Sequence, residues 1–189
     1  MPQSSSLTPT MVALAAPAAA AVILTALRPR LRPDVRGSRR LLLVVGLTIA
    51  AQVLHFVEEL RTELYVAFPT TFGFPAAQLS VFVWANTTAL VVWAAALIAV
   101  RQGIVLALLP LWFLGFCALL NLVLHPYLAL TTGGYYPGVV TAPLVGVLGI
   151  MTIRELARVT ANDRENPGVT DHRASVARSR LPDNDRSSR

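Results

Sequence analysis

Leu41–Leu60 reads LLLVVGLTIAAQVLHFVEEL, an apolar run that closes on one histidine and two glutamates. Its length matches the roughly 20 mainly apolar residues that a helix needs to cross about 30 Å of hydrocarbon. The run does not alternate apolar and polar residues with a period of two, so it does not read as a strand. It reads as a spanning helix with ionisable groups near one end.

Four more apolar stretches surround it, at Thr8–Leu27, Leu79–Val100, Ile104–Leu124 and Tyr136–Ala157. Together the five predict an all-α, polytopic transmembrane bundle of about five spans. The composition agrees. Of 189 residues, 54% are hydrophobic and 14% charged, against about 25% charged in soluble domains. The missing period-two pattern excludes a β-barrel, and no internal repeat is visible. Cys117 is the only cysteine, which excludes a disulfide framework within the chain.

The charge distribution sets a direction. All 16 basic residues are arginine, and between Leu41 and Ile153 the charged residues are Glu58, Glu59, Arg61, Glu63 and Arg101 alone. The other arginines flank the apolar stretches, as juxtamembrane charge does. That placement excludes nucleic acid as a partner despite the net charge of +6, because a nucleic-acid footprint clusters on a folded face. The first stretch has no basic residue before it and six arginines after it, from Arg28 to Arg40. It therefore reads as a retained helix rather than a signal peptide, with its N-terminus outside. The expected domains are residues 1–40 (first helix and arginine-rich cytoplasmic loop), 41–157 (four-helix membrane core) and 158–189 (a disordered cytoplasmic tail carrying His172). The expected location is the cell membrane, as a multi-pass protein with a cytoplasmic C-terminus and membrane lipids as its surroundings.

Ionisable residues in spans are costly and mark sites. His55 stands three residues before Glu58 and four before Glu59, so either carboxylate can share its helix face. The two glutamates differ by about 100° and cannot both point at one spot. Asn121 and His125 form a second i,i+4 pair, next to Pro126. Counting about 1.5 Å per residue from the inner ends, both pairs reach the same outer layer. Tyr135, Tyr136 and Thr141 open the fifth stretch at that level, and Asn86 and Thr87 lie deeper on the third. The second, fourth and fifth stretches thus aim polar groups at one pocket. A structural reading of the same residues stays open. Interfacial glutamates, a histidine serving the carbonyl freed by Pro126, and aromatic-belt anchors (Tyr135 and Tyr136, with Tyr65, Phe68, Phe72 and Phe74 nearby in the outer loop) each have precedent.

The His55-Phe56-Val57-Glu58-Glu59 segment, with Asn121-x-x-x-His125 and Tyr136-Pro-Gly-Val-Val-Thr141 after it in order, resembles the HXXEE-domain family of bacterial membrane proteins. The resemblance spans about residues 41–155 and implies a shared site without implying a reaction. The paired glutamates are also similar to those of CPBP-type intramembrane proteases, which place an arginine four residues after the pair. Here that position is Glu63.

Two histidines and a carboxylate suit a Zn or Fe ion with an open coordination position. His55, Glu59 and His125 are the expected metal ligands, Glu58 the expected catalytic base, and Asn121, Tyr136 and Thr141 the expected supporting residues. No nucleotide-type cofactor is expected. The corresponding function is a metal-dependent or metal-free acid/base enzyme acting on a lipid-like substrate. The alternative is a non-enzymatic ligand-binding, transport or structural subunit. Transport fits less well, since the inner halves of the stretches carry no ionisable path.

Overall fold

A computed structural model of the chain describes residues 8–28 and 38–160. Most of the expected arginine-rich loop and the expected tail with His172 lie outside the described residues. Among those described there is no strand. The helices are α1 (Thr8–Leu27), α2 (Arg39–Arg61), α3 (Leu64–Thr71), α4 (Leu79–Arg101), α5 (Leu108–Thr132) and α6 (Ala142–Val159), with a 3-10 turn at Val105–Ala107 before α5.

Four of these, α1, α2, α4 and the helical run Val105–Thr132, are long and apolar enough to cross a membrane. Their surfaces agree with that. Helix α4 buries only Trp93, Ala96 and Val100, while Trp84, Val91, Val92 and Ile98 are exposed. A helix that is apolar all round is not built to face water. The fifth expected stretch differs from the others. Helix α6 has 18 residues and contains Arg154, Glu155 and Arg158.

Two boundaries depart from the sequence expectation for physical reasons. Helix α5 does not stop at Leu124 but runs through Pro126 to Thr132. The proline removes one backbone donor, yet the turns beyond it bury Leu128. The helix ends at Gly133, whose φ of 77° supplies the left-handed C-terminal turn. Residues Tyr136–Thr141, expected as the first turns of a helix, instead form a compact loop between α5 and α6.

Helix α5 is central, with α1, α4 and α6 packed on it, and α2 lies against both α4 and α6. Glycines let α5 and α6 approach closely, as small residues do in membrane bundles. A Cβ on Gly149 would stand 2.6 Å from the Ala118 Cβ, and one on Gly146 would overlap Leu122. Helix α2 is tied to α6 by a buried hydroxyl pair, Thr48 and Thr152, 2.8 Å apart. The sandwich α2–α6–α5 fixes the two helices that carry the histidines.

Candidate metal centre

His55 and Glu59 face the same side of α2, and both are buried. His125 on α5 is also buried. Glu59 Oε1 lies 3.1 Å from His55 Nε2 and 3.4 Å from His125 Nε2. The two imidazoles meet edge to face with centroids 4.8 Å apart. The three ligand atoms fall within 4.8 Å of one another, so this trio can hold a metal ion. For ligands at the usual 2.0–2.2 Å, tetrahedral geometry requires ligand–ligand edges of about 3.4 Å. The two edges to Glu59 are close to that, and the third, between the imidazoles, lies within 4.8 Å.

The far side of each imidazole decides which nitrogen carries the proton. His125 Nδ1 lies 2.5 Å from the Pro137 carbonyl, which can only accept, so Nδ1 is the N–H. His55 Nδ1 lies 2.7 Å from Thr141 Oγ1. That hydroxyl has one proton and donates it to Glu58 Oε2, 2.5 Å away. It must therefore accept from His55 Nδ1–H. With a proton on Nδ1 of each ring, both Nε2 atoms are left facing the Glu59 carboxylate. His55 Nε2 is buried and makes no hydrogen bond. Two imidazole nitrogens and a carboxylate oxygen converge on one spot, a donor set that a cation or a shared proton can occupy.

Glu58 is placed differently from its neighbour. Its carboxylate turns to the α5–α6 loop, accepting from the Tyr135 hydroxyl at 2.8 Å, Val140 N–H at 3.1 Å, Thr141 N–H at 2.9 Å and the Thr141 hydroxyl. Burial and this carboxylate push the Tyr135 phenol above its ordinary range, so it stays a donor. Tyr136 is buried beside the His125 ring, with its hydroxyl 3.3 Å from Thr71 Oγ1.

Two components went unread in the sequence. Gly138, with φ of 87°, lies against both imidazoles. A Cβ there would sit 2.5 Å from His125 Cε1 and 3.0 Å from His55 Cε1. The Pro-Gly pair was visible, but its meeting with rings from α2 and α5 was not. Gln52 is the other. It is buried one turn before His55, and its Oε1 has no hydrogen-bond partner. Its spacing of three from His55 and seven from Glu59 puts it on their face, a signal that was available.

Glu59 and His125 open onto a cavity of about 230 Å³. Asn121 lines it one turn from His125, and α1, α3 and α4 also contribute walls. The sequence had placed the pocket among the second, fourth and fifth stretches. The contribution of α1 through Thr10, Ala13 and Leu14 carries no polar signature that spacing could detect. Tyr65 and Phe68, expected in an outer loop near the interfacial anchors, line this cavity, whereas Phe72 and Phe74 are exposed.

These features define an all-helical protein of membrane type with a buried two-histidine, one-carboxylate cluster beside a cavity. The chain belongs to the family described as proteins of unknown function with an HXXEE motif, whose sequence model matches residues 46–152. The match takes in His55, Glu58, Glu59, His125 and the loop, and it leaves out α1. No match was found among curated proteins or solved structures.

Proposed function

We propose that this protein is a membrane-embedded metalloenzyme whose His55–Glu59–His125 centre acts on a lipid-like substrate. One observation carries the reading: two imidazoles held at Nδ1 by Pro137 and Thr141 turn their Nε2 atoms to a buried carboxylate. Two histidines and a glutamate form a catalytic zinc site when a coordination position stays open, and the same trio suits Fe(II). A bound ion supplies Lewis acidity and activates water near neutral pH. The contact of Glu59 and His125 with the cavity supports an open position on that side.

The residues around the trio have separate tasks in this reading. Glu59 supplies the one anionic ligand. Glu58 serves as a positioning residue rather than the base, because its oxygens already receive four hydrogen bonds from the loop. Through Thr141 it holds the proton of His55 on Nδ1, an outer-shell arrangement that raises ligand basicity. The arginine distribution supports a multi-pass protein of the cell membrane with this centre in the outer leaflet.

Metal content per chain, measured by mass spectrometry on protein in lipid nanodiscs, tests the reading. We expect near one Zn or Fe per chain, lost in His55→Ala and in His125→Ala. Protein that stays metal-free after supplementation with both ions would refute the ligand assignment. A hydrogen-bonded acid/base pair of Glu59 with the histidines would then account for the 3.1 Å and 3.4 Å contacts.

A further inference from the structure

The cavity beside the trio has a shape and a lining that select its occupant. It follows α4 from Val81 to Trp93 and α5 from His125 to Phe113, each a rise of about 18 Å at 1.5 Å per residue. Its volume is about 230 Å³, and an apolar cavity of about 150 Å³ holds benzene. That volume between walls of that length fits a single chain of about eight to ten carbons.

The lining changes along its length. Below the trio, by about one helical turn, three carboxamides border the cavity: Gln52, Asn86 and Asn121. Asn86 Nδ2 is engaged with the Phe82 carbonyl at 3.0 Å. Gln52 is 7% exposed, and its Oε1 has no partner among the described residues. The residue borders the cavity, so its carboxamide offers a bound molecule a polar contact there. Farther from the trio the lining is apolar, with Ala89, Trp93, Phe113 and Cys117. The carboxamides carry no charge, so they match a neutral head rather than an ionised one.

We infer that the cavity binds an uncharged single-chain amphiphile of about eight to ten carbons. Its hydroxyl or amide head hydrogen-bonds the Gln52 carboxamide at the cavity wall, and its chain extends towards Trp93 and Phe113. The inference rests on the proposed enzyme only in taking this molecule as the substrate class of the same centre; the binding itself needs no turnover.

Trp93 lines the cavity and is one of three tryptophans, so Trp84→Phe with Trp112→Phe leaves it as the sole reporter. The probe is 10-bromodecan-1-ol, whose bromine quenches indole fluorescence, added to metal-loaded full-length protein in nanodiscs. Saturable quenching is expected, with at least tenfold weaker binding of 1-bromodecane, at least tenfold weaker binding in Gln52→Leu, and none in Ala89→Phe. Thermal unfolding of each variant verifies that it is folded. Non-saturable quenching equal for both probes, or unchanged affinity in folded Gln52→Leu, would overturn the inference. The same titration on His125→Ala separates the two proposals. Saturable quenching there, in metal-free protein, keeps the ligand site whatever becomes of the enzyme. A full complement of metal without saturable quenching in the parent protein removes the ligand site alone.

Discussion

Two buried glutamates lie near opposite ends of the bundle, and their company differs. Glu155 on α6 is met by Arg40 Nε at 2.6 Å and by Arg158 at 2.9 Å. Arg158 also reaches Ser38, and Arg28 reaches the Ala157 carbonyl at 3.0 Å. Its charge is matched by permanent cations, which gather the ends of α1, α2 and α6. Among the described residues, no arginine meets Glu59. It faces two imidazoles whose Nδ1 protons are committed elsewhere. A buried charge without a partner is costly; Glu155 has permanent cations, whereas Glu59 has two imidazoles, which a proton or a metal ion can join to it. One end is a clamp, and the other is the candidate ion site.

Substitutions can break or sharpen this contrast. The largest effect is expected from removing a ligand: His55→Ala or His125→Ala should weaken metal binding by at least a thousandfold in competition with a calibrated chelator. Next comes Gly138→Ala. Its new methyl would enter the space of the His125 ring, and its φ disfavours any side chain. We expect metal affinity to fall at least a hundredfold, with about 2–4 kcal/mol of lost stability from strain and overpacking combined, measured by thermal unfolding.

Thr141→Val should have a smaller effect of about 10–100-fold on metal affinity, the range for outer-shell partners. It removes the acceptor of His55 Nδ1–H and one donor to Glu58, and Thr141→Ser should restore binding. The smallest effect belongs to the clamp. Glu155→Gln should leave metal affinity within twofold and cost about 1–2 kcal/mol of stability, discounted because both arginines can reach water. A change in metal affinity in that variant would show that the two ends are not independent.

How much of this was legible depends on the range of the interaction. Apolar length gave the helical class, because the signal is local to each run. The pairs His55/Glu59 and Asn121/His125 were visible because helical spacing is a local rule. Similar depths counted from the arginine-flanked ends brought His55 and His125 to one layer, and the structure brings Glu59, His125 and His55 into contact. The α5–α6 loop was misread as helix, since Tyr136-Pro137-Gly138 was weighed for its polar residues rather than its turn chemistry. Separating the roles of Glu58 and Glu59 needed the loop itself, because spacing allows either to join His55. Helix α3 was hidden in a segment read as an aromatic outer loop. Glu155 was absorbed into the end of an apolar run, and its partner Arg40 lies 115 residues away in sequence. The Pro137 carbonyl that orients His125 carries no sequence signal, since every residue has one.

The most direct test of the central claim is X-ray absorption at the metal K-edge on the full-length protein in nanodiscs. We predict a first shell with two imidazole nitrogens and a carboxylate oxygen at about 2.0–2.2 Å, losing one imidazole's scattering in any metal retained by His125→Ala. A metal whose shell contains no imidazole, or one that is unchanged by that substitution, would contradict the account.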